Sequence, residues 1–388
     1  MTHTLLAELE SWLWSGTVTP RVTPKAVAEC VNELSDLYTV ERGLLARQQG
    51  SRDHLVAKIL YFLASDAPKI ALALDECSQR DDAFRSPNRI LDLGCGVGAT
   101  SVGFLLWRAQ QRTMSAESIE IVGVDHAPAA LAVWPAIVRR AAALAGIDVK
   151  LRTEHADLAG AALESGTDLV LCQTALNERL PGGTAREQSY DPTTVDLVRR
   201  WALAAPLLLV EPALRATTRP LHRLRDTLLE RGGVRVVAPC PHAHRCPMLA
   251  RESDWCHESR VVQPTPMVAA VQELTRRRDA RALFSFVAFA PGDRTHDRAP
   301  MRFVSDALGS RGKTERWVCC GDGRLRVLRL LDREQRVGNS LLATAERGTL
   351  VRIEPEATSD RIGPDQRVVS CLPRPPSLGS DEAQAAGS

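Results

Sequence analysis

The stretch Arg89-Ile-Leu-Asp-Leu93, followed at once by Gly94-Cys-Gly-Val-Gly98, leaves this chain few folds to choose from. The short apolar run reads as a buried strand, and Val102, Leu105 and Leu106 then recur at helical spacing. Strand, glycine turn and helix in direct succession form the first unit of a doubly wound sheet. The glycines let the backbone turn tightly and approach a ligand, beside a helix N-terminus that favours negative charge. Later apolar runs supply further strands at residues 119–124, 149–151, 169–172, 206–210, 234–238 and 283–290, with helical stretches such as 127–145 and 220–230 between them.

What flanks this sheet has a different texture. Residues 1–86 read as a helical cap. Leu5, Leu6, Leu9, Trp12 and Leu13 follow a helical spacing, and Thr23-Pro24 is an N-cap followed by proline at the first helical position. A third helical segment spans residues 55–74, and Pro68 is expected to kink or break it. The α/β domain then covers 87–299, with an insert at 239–262. Residues 300–374 read as a small β-rich domain with a hairpin around Gly321-Asp322-Gly323, and 375–388 as a disordered tail.

The three groups of residues that carry chemistry begin at the glycine turn. Asp92 precedes Gly94, Gly96 and Gly98, Asp125 ends the second strand, and Asp157 follows the third. A carboxylate at the end of the second strand suits ribose hydroxyls, and one after the third suits an adenine amino group. The set resembles the class I S-adenosylmethionine-dependent methyltransferases. It departs from the dinucleotide fingerprint G-x-G-x-x-G, because Gly98 comes one residue early and Ala99 takes the next place. The resemblance implies S-adenosylmethionine as cofactor. After the fourth strand stands Leu171-Cys-Gln-Thr-Ala-Leu-Asn-Glu, with no Asn-Pro-Pro-Tyr to hold a base amino group. Asn177, Glu178 and Glu211 are candidates for the acceptor side, and each also suits a cap or turn; Cys172 reads as a core residue.

The third group is Cys240-x5-Cys246-x9-Cys256, with His242, His244 and His257 among the cysteines. It lacks the paired C-x2-C of zinc ribbons. Three thiolates need a fourth ligand, which one of these histidines or the Cys319-Cys320 pair could supply. The charge balance excludes a polycation, since the net charge is +2. The basic residues are nearly all arginine, which suits bidentate phosphate contacts; only Lys25, Lys58, Lys69, Lys150 and Lys313 are lysine. Arg276–Arg278 and Arg324, Arg326 and Arg329 are the candidates for such contacts. No membrane-spanning run and no basic leader are read, so a cytoplasmic location with reduced cysteines is expected.

Ala238-Pro-Cys-Pro-His, Cys246-Pro and Asp254-Trp-Cys-His, set behind Asn177-Glu178 and Glu211-Pro212, resemble one family in particular. It is the methyltransferase-like assembly factor of the mitochondrial small ribosomal subunit, with its bacterial relatives. Phe284-Ser-Phe-Val-Ala-Phe-Ala and Cys319-Cys-Gly-Asp-Gly match later marks of that family. The resemblance implies a 4Fe-4S cluster on Cys240, Cys246, Cys256 and Cys319, with Cys320 as the other choice for the fourth place. It also implies binding to small-subunit rRNA during assembly, with methyl transfer itself in doubt. Glu258 stands where the family has Phe or a similar residue, and the basic segment Arg311, Lys313, Arg316 is thin. Two alternatives follow from the residues: an active methyltransferase on a small molecule or peptide, and a structural zinc protein. Nothing points to DNA or to a membrane as partner.

Overall fold

The computed structural model describes residues 2–39, 51–111, 118–180, 188–276, 280–293, 300–356 and 359–372. The expected tail and the arginines at 277 and 278 lie outside the described residues. Helices α1 (Thr2–Trp14), α2 (Pro24–Thr39) and α3 (Arg52–Ala57) open the chain. Thr23 caps α2 by accepting the Ala26 amide at 3.3 Å. A π-helical turn, Lys58–Phe62, joins α3 to α4 (Leu63–Arg80).

Helix α4 does not end at Pro68; it continues through it to Arg80. Tertiary packing outweighs the one hydrogen bond that proline cannot donate. Helix α4 is buried along Leu63, Ala67, Ile70 and Leu74 and lies tight against α5 (Ala99–Gln110). At Gly103 of α5 a Cβ would sit 2.4 Å from the Ala67 carbonyl oxygen, so only glycine admits this approach.

The main sheet runs β3-β2-β1-β4-β5-β8-β6. Its strands are β1 (Arg89–Leu93), β2 (Ile119–Asp125), β3 (Val149–His155), β4 (Leu169–Gln173), β5 (Leu207–Pro212), β6 (Val234–Ala238), β7 (Glu258–Val261) and β8 (Arg281–Pro291). Strands β1 to β5 pair in parallel, and β8 runs antiparallel between β5 and β6. This is the strand order of the class I methyltransferase fold, a Rossmann-like α/β sheet. Strand β7 has no counterpart in the apolar runs of the sequence: the cysteine stretch leaves β6 at Ala238, beside Ala288 of β8, and returns as β7, where Glu258 pairs with Phe284. Both ends of the loop are therefore anchored on the same edge of β8.

Helix α6 (Pro128–Ala145) packs on α5, β2 and β3, with Trp134, Ile137 and Val138 in the core. It passes a length-and-composition test for a membrane span, as core helices also do; Arg139 and Arg140 interrupt its apolar run. Helices α7 (Pro192–Ala204), α8 (Arg215–Glu230) and α9 (Pro266–Leu274) complete this part.

A second sheet follows, ordered β14-β12-β11-β9-β13-β15 with β10 on β11. Its members are β9 (Met301–Phe303), β10 (Leu308–Ser310), β11 (Lys313–Cys319), β12 (Leu325–Leu331), β13 (Leu350–Glu354), β14 (Arg361–Ile362) and β15 (Arg367–Ser370). It has its own core, around Phe303, Val318, Leu328, Leu330 and Val351.

The two sheets are joined by a buried ionic network. Arg302 of β9, 1% exposed, donates Nη1 to Glu76 Oε1 at 2.7 Å, Nη2 to Glu76 Oε2 at 3.1 Å and Nη2 to Glu258 Oε1 at 2.7 Å. Burial alone would raise the Glu76 carboxyl; Arg302, Arg80 and Arg260 hold it below its ordinary value. A buried pair of this kind contributes little net stability against an apolar replacement, but losing one partner strands the other charges. Arg302→Met is expected to lower stability by about 3–5 kcal/mol in urea unfolding. A loss below about 1 kcal/mol would mean that the network does not hold the sheets together.

Candidate functional site

The first site lies along the carboxyl edge of the parallel strands. Gly94, Gly96 and Gly98 all have positive φ. The amides of Gly94 and Cys95 both donate to the Val124 carbonyl, which folds the turn back over β2. At Gly96, whose amide donates to Asp125 Oδ2 at 2.8 Å, an added Cβ would meet nothing within 4 Å, so open space flanks the turn. Asp125 Oδ1 accepts the Ala127 amide. Asp157 is exposed and holds its own loop through Gly160 N, at 2.7 Å.

Asp92 is fully buried. Its Oδ2 accepts from Ser101 Oγ at 2.5 Å, while Oδ1 is buried with no hydrogen-bond partner. Burial pushes its carboxyl up to about 7, with the nearby Asp125 adding to the effect and Ser101 opposing it.

On the acceptor side, Asn177 and Glu211 hold each other. Both are buried, and Glu211 accepts Asn177 N at 3.0 Å through Oε1 and Asn177 Nδ2 at 2.6 Å through Oε2. Glu178 is exposed. Thr174, just past β4, has φ 55°, a left-handed conformation that is costly for a β-branched residue. No sequence signal marked it.

The second site is the cysteine loop. Cys240, Cys246 and Cys256 come from the loop between β6 and β7, and Cys319 is the last residue of β11. All four lie in one electrostatic neighbourhood. Burial pushes the Cys319 thiol up, and the charges of Cys240, Cys256 and Cys246 push it further. Cys246 is raised by burial and then by Cys240 and Cys256, and Cys256 is pushed up to about 12 by burial. Cys320 faces another environment, where Arg326, Asp322 and Arg324 are its charged neighbours. It opens onto a cleft of 1110 Å³, shared with His242, His244, Asp322 and Arg352, between the loop and the second sheet.

Among the described residues, no three His, Cys, Asp or Glu side chains are set to hold a metal ion. A tetrahedral zinc with Zn–S of about 2.3 Å needs its sulfurs about 3.8 Å apart. His242, His222 and His257 are each lowered to about 4, first by burial, so these rings are neutral at pH 7.

Buried arginines shape the loop. Arg219 donates to the carbonyls of Met248, Leu249, Arg251 and Asp254. Arg225, fully buried, donates to the carbonyls of His242 and His244 and to Asp226, which in turn accepts the Cys246 amide at 2.9 Å. Arg80 donates to the carbonyls of Pro239 and Cys240, and Arg347 to that of His257. Burial opposes the charge on Arg225, and Cys240, Asp226 and Cys246 sustain it. The sequence did carry a signal for Arg225: it falls in the apolar stripe Leu221–Leu228 of α8, where a charge needs a partner.

The family described as mitochondrial small ribosomal subunit Rsm22 matches residues 53–340. This chain belongs to that family. No curated protein matches it. The structure is similar to the plantazolicin methyltransferase BpumL in complex with SAH, at 10% identity over 74% of this chain and 100% of that one, with a TM-score of 0.34. It is also similar to an uncharacterised protein from Burkholderia thailandensis, at 14% identity over 71% and 96%, with a TM-score of 0.38. A third likeness is to the cyclase SpnF, at 13% identity over 57% and 81%, with a TM-score of 0.33.

In this Rsm22-family chain, Arg324, Arg326 and Arg329 pair at the surface with Asp322, Asp360 and Glu315, and such exposed pairs are weak. Arg316 is buried over the Phe303 ring, 4.5 Å from its centroid, and Lys313 is paired with Glu315.

Asp92 gives a pH test. Its folded carboxyl, at about 7, lies above the unfolded value. The folded state therefore keeps a proton that the unfolded chain loses. This stabilisation is complete below about pH 4 and fades as pH rises to about 7. Asp92→Asn is expected to flatten the fall in stability between about pH 4 and 7, read by urea unfolding at several pH values. An unchanged profile would contradict it.

Proposed function

We propose that the chain is an S-adenosylmethionine-binding, methyltransferase-like protein that carries a 4Fe-4S cluster and associates with the small ribosomal subunit and its rRNA during assembly. It would act in the cytoplasm. The observation that carries this reading is the convergence of Cys240, Cys246, Cys256 and Cys319 within a shell of buried guanidinium groups, in a chain of the Rsm22 family.

The residues suit both groups. Four thiolates bring negative charge into a buried site, and the charges of Arg225, Arg302 and Arg347 fall on these cysteines. When bound, the cluster would cross-link the loop to the second sheet through Cys319. S-adenosylmethionine would lie along the Gly94–Gly98 turn, with its ribose hydroxyls at Asp125 and its adenine amino group at Asp157. S-adenosylmethionine supplies a sulfonium methyl group; on this chain the polar residues beside it, Asn177 and Glu211, are spent on each other. That favours a binding role over turnover. The strained Thr174 supports a second reading, transfer to an acceptor at the end of β4, which a methyl-transfer screen of rRNA against metabolites would test.

Anaerobically purified protein is expected to be brown, absorb broadly near about 400 nm and hold about four irons per chain. Cys319→Ser should lose the iron and Cys320→Ser keep it. A colourless anaerobic sample with stoichiometric zinc would reject the cluster. Co-sedimentation with small-subunit particles should weaken steeply as salt rises, and no co-sedimentation at low salt would reject the ribosomal partner.

A further inference from the structure

We propose that His242 is a hydrogen-bond donor to the cluster ligand Cys319, and that this N–H···S bond raises the cluster's reduction potential. The inference rests on the cluster reading above and adds a role for a residue that is not itself a ligand.

His242 lies two residues past Cys240, is 3% exposed, and has its Nε2 3.2 Å from Cys319 Sγ. The contact spans the two halves of the site, from the β6–β7 loop to the end of β11. Arg225 donates to the His242 carbonyl, which fixes the backbone there, and the His244 ring lies at 5.8 Å with a 35° tilt. Cys319 is held by its register in the second sheet, opposite Arg302 and Leu325.

The direction of the bond follows from the state of the sulfur. A thiolate bound to iron carries no proton, so a bare Nε2 lone pair facing it at this distance would be repelled. The ring must present Nε2–H, and the sulfur accepts. Donation draws electron density from the sulfur and so favours the more negative, reduced cluster; hydrogen bonds to ligand sulfurs are one of the levers that set such potentials.

Equilibrium redox titration of anaerobically purified full-length protein, followed by EPR of the reduced cluster, tests this. His242→Leu removes the donor and His242→Gln keeps an N–H. With iron content unchanged, His242→Leu is expected to shift the reduction equilibrium about tenfold toward the oxidised cluster, about 59 mV for one electron. His242→Gln should recover part of that shift. An unchanged potential in His242→Leu at full iron content overturns the inference, and so does loss of a single iron, which would make His242 a ligand. Should His242→Leu fail to hold a cluster, wild-type protein labelled with 15N-histidine decides. A weak nitrogen coupling in pulsed EPR supports the bond, and its absence overturns it. Wild-type protein without iron would instead bring down the cluster reading itself.

Discussion

Arg302 sits where three parts of the chain meet, and the rest of the arrangement depends on it. Its guanidinium is shared by Glu76 from helix α4 and Glu258 from β7, and it also donates to the Pro239 carbonyl at the start of the cysteine loop. Arg80 and Arg260 complete the network. Charges this deeply buried are costly unless every one is matched. The network therefore admits one docking of the second sheet on the first, and that docking carries Cys319 to the loop. The clasp between the two sheets is ionic before any cluster is considered.

The arginines around the loop do two things with one charge. They donate to backbone carbonyls that would otherwise be buried without partners, which fixes the loop's path. They also leave positive charge beside four thiols, which suits a bound anionic group more than empty thiols. The loop is tied to the nucleotide side as well. Ser285 pairs in register with Glu211 of β5 and donates to the Cys256 carbonyl, and Trp255 donates to the Ala213 carbonyl just past β5. The cysteine site and the acceptor side thus share the end of one strand.

Much of the fold could be read from residues alone, because strands buried on both faces appear as uninterrupted apolar runs. Runs such as Leu169–Gln173 and Val234–Ala238 needed no tertiary information. The glycine turn and its carboxylates were legible because their chemistry is local. What escaped depends on partners far away in sequence. Pro68 is tolerated because Gly103 lets α5 approach α4. Strand β7 is only four residues long and exists because β8 offers an edge. Arg225 stands in an apolar stripe, but its carbonyl partner His242 and those of Arg219 lie 17 to 35 residues downstream, where no local pattern points to them. The carboxylates of Asp360 and Glu315 beside Arg326 and Arg329 are set there by the second sheet.

The central claim is that two separate segments deliver four cysteines to one cluster. Anaerobic crystals measured on both sides of the iron absorption edge test it most directly. The expected result is iron anomalous density enclosed by Cys240, Cys246, Cys256 and Cys319, with Cys320 turned toward the cleft. A single zinc peak, or iron held without Cys319, would contradict it.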